Sequence, residues 1–202
     1  MKIPFLKYIQ AKLKPPFLLI TCGLPATLKT TAAREIVRLK GAALLRSDEI
    51  RAGIFKDEDV FDAKIAANME KRLSVYEKML ALADAALAGG TSVILDATFI
   101  TQALRQRAAA IADRHGVAFF IMETVCPQEV ALERIRNRIK EIGESNALTP
   151  DVYFINKARF ETIDLGDLKK QNPSLQATHF VVDTKKFPPQ AWNVIGEKKI
   201  PG

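Results

Sequence analysis

The stretch ITCGLPATLKTTAAREI, from Ile20 to Ile36, determines how the rest of the chain is interpreted. A short apolar run over 17–22 leads into Gly23, and a Lys29–Thr30 pair follows six positions after that glycine. A strand, a loop and a helix in this order are typical of a phosphate-binding loop, where backbone N–H groups and the helix N-terminus hold an anion. The pattern for that loop, G-x-x-x-x-G-K-[ST], has glycine at the position that Leu28 occupies here.

If the stretch is a phosphate-binding loop, Lys29 would reach the outer phosphates and the hydroxyl of Thr30 would bind Mg²⁺. The alternative is an ordinary strand–loop–helix turn with a solvated lysine. A positive φ at Leu28 would cost about 1–2 kcal/mol, since that region is unfavourable for residues with a Cβ. A cost of that size weakens binding about tenfold or more without abolishing it. The candidate phosphate-binding residues are Gly23, Leu24, Pro25, Ala26, Thr27, Leu28, Lys29 and Thr30.

Short apolar runs alternate with helical patterns along the chain. Strands are predicted over 17–22, 42–47, 92–97, 117–125 and 178–184. Helices are predicted over 3–13, 30–40, 62–88, 101–115, 127–142 and 149–163, with a short final helix after Pro188–Pro189. Strands that are apolar on both faces favour an α/β fold with a five-stranded parallel sheet covered by helices on both sides. Ligands of such sheets bind beyond the carboxyl ends of the strands.

Composition limits the function classes. The chain has 202 residues, which suits one domain, and a net charge of +7 that favours anionic ligands such as nucleotides, phosphorylated metabolites or nucleic acid. No run reaches the roughly 18 apolar residues that a membrane helix requires. The N-terminus does not resemble a signal peptide, and two cysteines are too few for a disulfide framework, so a cytoplasmic protein without membrane association is expected.

Charged residues follow the second and third predicted strands. Asp48 could accept a proton from a substrate hydroxyl, and Arg51, three residues on, could hold a substrate anion. Alternatively, Ser47 or Asp48 is a helix N-cap with Arg51 solvated, and the spacing alone favours that interpretation. Asp96 could orient Mg²⁺ or a substrate group, or it could cap the helix that begins near Thr101.

Arg134 and Arg138 lie four residues apart in ERIRNRIK and therefore share a helical face. Two arginines that point the same way could clamp a triphosphate and stabilise charge on a transferred group. The alternative is an ordinary charged helix face, which would be preferred without the phosphate-binding loop. Neither histidine has the spacing to other ligands that indicates a metal site.

Taken in order, the motifs GLPATLKT, SDEIR, LDATF and VCPQEVALERIRNR resemble the small P-loop kinases that are grouped with AAA-family ATPases. Relatives of this group include phage polynucleotide kinase, chloramphenicol phosphotransferase and the zeta toxins. The resemblance covers about residues 17–183. It implies a P-loop NTPase fold with a helical lid over about 134–150, in a kinase-like domain of residues 17–202 preceded by a helical extension of residues 1–16.

The resemblance also implies roles for single residues. Lys29 and Thr30 would hold the phosphates of ATP and Mg²⁺, and Asp48 would be the general base on the acceptor hydroxyl. Arg51 would position the substrate in the D-x-x-R spacing, and Arg134 and Arg138 would be the paired lid arginines. Asp96 matches an acidic position of less settled role, assigned here to Mg²⁺ and substrate. Leu28, and to a lesser degree Ala26, depart from the pattern.

The function expected is ATP-dependent transfer of a γ-phosphoryl group to a hydroxyl of a small molecule or of a nucleic-acid end. The alternative is a nucleotide-binding P-loop protein that has lost turnover because of Leu28 and serves as a sensor or scaffold. A third and weaker hypothesis is a basic nucleic-acid-binding protein without catalysis. Aromatic residues make up only 7% of the chain, and no basic patch is interleaved with them.

Overall fold

The fold is a twisted sheet with helices on both faces. The computed structural model describes residues 2–55, 69–138 and 149–200. The described strands form one sheet in the order β1-β7-β6-β5-β2-β4-β3. They are β1 (Ile3–Pro4), β2 (Phe17–Cys22), β3 (Ala43–Arg46), β4 (Val93–Asp96), β5 (Ala118–Val125), β6 (Ala177–Asp183) and β7 (Asn193–Ile200).

The predicted parallel sheet is confirmed. Strands β6, β5, β2, β4 and β3 are parallel neighbours, and they correspond to the five strands expected from the sequence. Two antiparallel strands that the sequence did not reveal extend one edge: β7 pairs with β6, and β1 pairs with β7. The expected final helix is a single 3₁₀ turn, Pro189–Ala191, after which β7 begins. Strand β7 is rich in lysine and only partly buried, so its sequence lacks the apolar run that marks the inner strands.

Helices cover both faces of the sheet. They are α1 (Phe5–Lys12), α2 (Lys29–Lys40), α3 (Ser47–Ile54), α4 (Met69–Ala88), α5 (Gln102–Arg114), α6 (Gln128–Arg138), α7 (Pro150–Arg159) and α8 (Leu165–Gln171). The predicted helix over 62–88 is confirmed from Met69, while residues 62–68 lie outside the described residues. Helix α3 was raised only in the alternative that places a helix N-cap at Ser47 or Asp48, and α8 was not predicted, since it is short.

Two apolar layers hold the helices to the sheet. Every residue of β2 is buried, because alternate side chains enter the layer on either face. One layer contains Leu18 and Ile20 together with residues of α4, α5 and α8. The other contains Phe17 and Leu19 together with residues of α1 and α2. The phosphate-loop stretch therefore leaves the sheet from a strand that is fixed on both sides.

The N-terminal helix packs against the second of these layers. Its buried residues Phe5, Tyr8 and Ile9, followed by Leu13, have the spacing of one helical face. The ring of Tyr8 contacts Phe180 of β6, with 4.9 Å between the ring centroids. None of the helices in the described ranges is long and apolar enough to span a membrane.

Register brings the carboxyl ends of four strands to one edge. Arg46, the last residue of β3, lies opposite Asp96, the last residue of β4. Cys22, the last residue of β2, lies opposite Glu123 of β5. This edge is the place where open α/β sheets bind ligands.

Candidate functional site

The loop after β2 begins at a glycine that no other residue could replace without rearrangement. Gly23 has a φ of 134°, and a Cβ placed there would lie 2.5 Å from the carbonyl oxygen of Thr124. Such a distance is far shorter than a normal contact, and the φ is one that side chains rarely allow. Gly23 therefore lets the loop leave β2 in close contact with the neighbouring strand β5.

Leu28 has the backbone conformation that glycine occupies in the usual pattern. Its φ and ψ are 61° and 34°, in the left-handed helical region, and it immediately precedes the first residue of α2. Ala26 also has a positive φ, of 63°. The positive φ considered for Leu28 in the sequence analysis is therefore observed. The loop tolerates backbone strain at both Ala26 and Leu28, which carry a Cβ.

The side chain of Leu28 is partly buried and packs against the apolar layer formed with α1 and α2. Burial of this side chain offsets part of the backbone strain, because removing apolar surface from water is favourable. The leucine thus has a structural role beneath the loop.

Side-chain hydroxyls fix the rest of the loop. Thr27 Oγ1 donates to the carbonyl oxygen of Leu24 at 2.8 Å and lies 2.7 Å from Thr124 Oγ1. Thr184 Oγ1, beyond the end of β6, donates to the carbonyl oxygen of Thr27 at 3.0 Å. These bonds join the loop to β5 and β6 and hold its backbone in one arrangement.

Lys29, Thr30 and Asp96 come together at the start of α2. The Thr30 hydroxyl donates to Asp96 Oδ2 at 2.6 Å. Asp96 Oδ1 accepts from the hydroxyl of Thr21 at 3.1 Å, and the carboxylate is 5% exposed. Lys29 Nζ donates to the carbonyl oxygen of Leu24 at 2.8 Å and so folds back over the loop. The proposal that Asp96 caps the helix near Thr101 is wrong, because Thr101 is itself the N-cap of that helix.

Arg46 is a site residue that the sequence analysis missed. Its Nε lies 3.6 Å from Asp96 Oδ2, and its Nη1 bonds Glu49 at 2.7 Å. The Nε atom is buried and has no hydrogen-bond partner among the described residues. The arrangement places a cation directly beside the buried carboxylate of Asp96. Only the parallel register of β3 and β4 reveals the proximity.

Asp48 and Arg51 lie in α3, which begins directly at the end of β3. Burial raises the pKa of Asp48, attraction to Arg51 opposes that shift, and repulsion from Asp96 adds to it. Burial lowers the pKa of Arg51, and Asp48 opposes that shift. The predicted D-x-x-R pair therefore interacts electrostatically at the site. The alternative in which Ser47 or Asp48 is the N-cap is wrong, since Arg46 occupies that position.

The side chain of Arg134 contacts the backbone of the loop. The guanidinium donates to the carbonyl oxygens of Ala26 at 3.3 Å, Thr184 at 2.7 Å and Lys185 at 3.2 Å. It therefore joins α6 to the loop and to the segment after β6. Arg138 is the last residue of α6, and its side chain lies outside the described residues, as does most of the lid predicted over about 134–150.

The oxygen donors at Thr30 and Asp96 suit Mg²⁺, which binds few protein carboxylates and takes its other ligands from water and phosphate. Across 2–55, 69–138 and 149–200, no group of three or more His, Cys, Asp and Glu residues is placed to hold a metal ion. A Mg²⁺ ion at this site would therefore take the rest of its coordination from water or phosphate.

A parallel sheet of this strand order with a strand–loop–helix phosphate site defines the class of P-loop nucleotide-binding proteins. The family model of an AAA domain matches residues 18–161, so the chain belongs to this AAA-domain family. No curated protein sequence matches the chain.

Similar solved structures include a putative kinase from Chloroflexus aurantiacus, at 20% identity and a TM-score of 0.66, over 88% of this chain and 95% of that one. A sugar kinase from Janibacter sp. HTCC2649 has 16% identity and a TM-score of 0.62, over 88% and 89% of the two chains. A gluconokinase from Sinorhizobium meliloti 1021 has 15% identity and a TM-score of 0.56, over 88% and 87%. These likenesses show that the chain shares its fold with these three proteins.

Proposed function

We propose that this protein is an ATP-dependent kinase that transfers the γ-phosphoryl group to a hydroxyl of a small molecule or of a nucleic-acid end. The observation that carries the proposal is the 2.6 Å hydrogen bond from the Thr30 hydroxyl to Asp96 Oδ2 beside the loop. Asp48 and Arg51 follow β3 at the same end of the sheet. The strained backbone at Ala26 and Leu28 supports a functional role for this loop, because such strain concentrates at ligand-binding sites. The descriptions of the fold relatives as kinases are consistent with it.

The loop would bind the phosphates of ATP. Its backbone N–H groups and the N-terminus of α2 would form the kind of concavity that holds phosphate. Lys29 would exchange its bond to the carbonyl of Leu24 for a bond to the outer phosphates. Thr30 and Asp96 would hold Mg²⁺, which, when bound, would neutralise phosphate charge.

Asp48 would act as the general base. The acceptor oxygen would attack the γ-phosphorus, its proton would pass to Asp48, and the bond between that phosphorus and the β–γ bridging oxygen would break to release ADP. Burial raises the pKa of Asp48, which improves its match to a hydroxyl proton at neutral pH. Arg51 would orient Asp48 and a substrate group. Arg134 and Arg138 would offset charge on the transferred group in a closed lid.

A second candidate is a nucleotide-binding protein without turnover. The observations that favour it are the strained Leu28 in place of glycine and the bond of Lys29 to the loop's own carbonyl, which leaves the lysine turned inward. Both candidates predict ATP binding, and only the kinase predicts transfer.

Two measurements test the proposal. Mg²⁺–ATP should raise the melting temperature, because a ligand that binds only the folded state stabilises it, and Lys29→Ala should remove that rise. Asp48→Asn should keep the rise and lose transfer of labelled γ-phosphate to acceptors. Absence of any rise at millimolar ATP would overturn both candidates, and transfer retained by the Asp48→Asn variant would remove Asp48 as the base.

A further inference from the structure

A second arginine, Arg72 of α4, lies near Arg51 at the end of the sheet where the acceptor would bind. Helix α4 packs against α3, and Arg72 is in the first turn of α4. Tyr76, four residues further along, accepts a hydrogen bond from the backbone N–H of Phe99 at 3.2 Å, and its hydroxyl lies 3.4 Å from Thr98 Oγ1. Because residues four apart share a helical face, the face of α4 that carries Arg72 is fixed over the turn that follows β4.

The charge of Arg72 acts on Arg51. Both arginines are partly buried. Burial lowers the pKa of Arg51, attraction to Asp48 opposes that shift, and repulsion from Arg72 adds to it. The two guanidinium groups are therefore close enough to interact, although they belong to different helices.

The charges at this corner leave an excess of positive charge at the two arginines. Arg46 faces two carboxylates of its own, those of Glu49 at 2.7 Å and Asp96 at 3.6 Å. Asp48 is the carboxylate that attracts Arg51. Two guanidinium groups therefore adjoin the carboxylate of Asp48, and the excess of positive charge attracts an anion.

We propose that Arg72 is a specificity-determining residue of the acceptor site and that the acceptor carries a carboxylate or phosphate group close to the hydroxyl that receives the phosphoryl group. The inference rests on the proposed function and narrows its acceptor class. A guanidinium group forms paired hydrogen bonds with the oxygens of either anion. The acceptor is therefore a hydroxy acid or a phosphorylated hydroxyl compound rather than a neutral alcohol.

The role of Arg72 follows from the charge of the base. Asp48 must hold its carboxylate near the reacting hydroxyl, so an anionic group on the same acceptor would be repelled by it. Arg51 alone would be shared between these two anions. Arg72 supplies a second cation, so that the base and the anion of the acceptor each have a guanidinium group beside them.

The spacing of the residues limits the distance between the two acceptor groups. Asp48 and Arg51 are three residues apart in α3, and side chains at this spacing have Cβ atoms about 5–6 Å apart. A hydroxyl at Asp48 and an anion at Arg51 and Arg72 therefore belong to neighbouring parts of one small molecule.

The test compares matched acceptors that differ in one charged group. A labelled-γ-phosphate assay takes each anionic compound beside its neutral counterpart: an aldonic acid and the alditol of the same chain length, a sugar phosphate and the free sugar, and a nucleoside 3′-phosphate and the nucleoside. The pairs also separate carboxylate from phosphate, and a sugar from a nucleoside, as the source of the anion. We expect kcat/KM to be at least about tenfold higher for the anionic member of the preferred pair.

Variants of Arg72 assign this preference to its side chain. Arg72→Gln should raise the KM for the preferred anionic acceptor at least about tenfold, because a charged hydrogen bond is lost, and should leave the KM for ATP and for the neutral counterpart within about twofold. Arg72→Lys keeps the charge without the forked donors, so its KM should lie between those of the wild type and Arg72→Gln. The matched control Lys78→Gln removes a positive charge from an exposed position of the same helix and should leave each KM within about twofold.

Melting temperatures are measured in parallel with Mg²⁺ and a non-hydrolysable ATP analogue, and again after the preferred acceptor is added. The anionic acceptor should raise the melting temperature further in the wild type and in Lys78→Gln, but not in Arg72→Gln. If Arg72→Gln does not fold, Arg72→Lys provides the comparison.

Three results would overturn the inference: a preference for the neutral member of the pairs, transfer to none of the anionic compounds, or a KM that the Arg72 variants raise equally for charged and neutral acceptors. If the ATP analogue stabilises the wild type while one of these results is obtained, the inference alone fails. If the analogue gives no rise in the wild type, the proposed function fails.

Discussion

Leu28 is the residue whose replacement tests the reasoning most directly. Two variants separate the effects of its backbone and its side chain. Leu28→Gly removes the side chain and the strain together, because glycine adopts φ near 61° without cost. Leu28→Ala removes most of the side chain and keeps the Cβ, so it retains the strain.

The expected free energies of unfolding follow from three contributions. Relief of the left-handed conformation is worth about 1–2 kcal/mol. Removal of the partly buried leucine side chain costs about 1–1.5 kcal/mol of stability, roughly half of the value for complete burial. The greater unfolded-state freedom of glycine costs about 0.5–1 kcal/mol. We therefore expect the free energy of unfolding of Leu28→Gly to lie within about 1 kcal/mol of the wild-type value. Leu28→Ala should be about 0.5–1 kcal/mol less stable than Leu28→Gly.

The effect on nucleotide affinity follows from the direction of the side chain. Leu28 packs against the apolar layer formed with α1 and α2, so its removal opens no space for phosphate. The dissociation constant for Mg²⁺–ATP should change less than about threefold in either variant, which is under about 1 kcal/mol. Urea denaturation gives the stabilities, and isothermal titration calorimetry gives the affinities.

Two results would refute this reasoning. A tenfold or greater tightening of ATP binding in Leu28→Gly would show that the leucine crowds the phosphates. Equal or greater stability of Leu28→Ala relative to Leu28→Gly would show that the strain at this position is absent.

Four further outcomes are expected. Gly23→Ala should unfold at clearly lower denaturant concentration and lose ATP binding, because its Cβ would meet Thr124 O at 2.5 Å; a normal calorimetric ATP titration would contradict this. Lys29→Ala should remove the Mg²⁺–ATP rise in melting temperature, measured beside the exposed-lysine control Lys78→Ala, which should keep it. Arg46 would compete with Mg²⁺ for the carboxylate of Asp96, so Arg46→Gln should lower the Mg²⁺ concentration that gives half of the ATP-induced rise in melting temperature. An unchanged or higher half-effect concentration of Mg²⁺ would show that the two cations do not compete. Because burial raises the pKa of Asp48, the charged form of this side chain destabilises the folded state as the pH rises. Asparagine carries no charge at any pH, so the melting temperature of Asp48→Asn minus that of the wild type should be larger at pH 7 than at acidic pH. A difference that does not change with pH would show that Asp48 is not desolvated.

Apolar runs and helical periodicity were sufficient to predict the central part of the fold. The five parallel strands are those that the sequence indicated, because each carries a buried apolar run between helical patterns. Strand β7 was missed because its Lys198 and Lys199 belong to a partly exposed edge, where antiparallel pairing needs no apolar run.

The sequence by itself determined the phosphate-type loop, the Lys29–Thr30 pair and the α/β class, since these depend on local order and spacing. Tertiary structure decided the rest. The direction of the Leu28 side chain, the contact of Arg46 with Asp96 and the closeness of Arg72 to Arg51 all join residues distant in the chain. Strand order and register create those contacts, and neither is encoded in the spacing of residues along one segment.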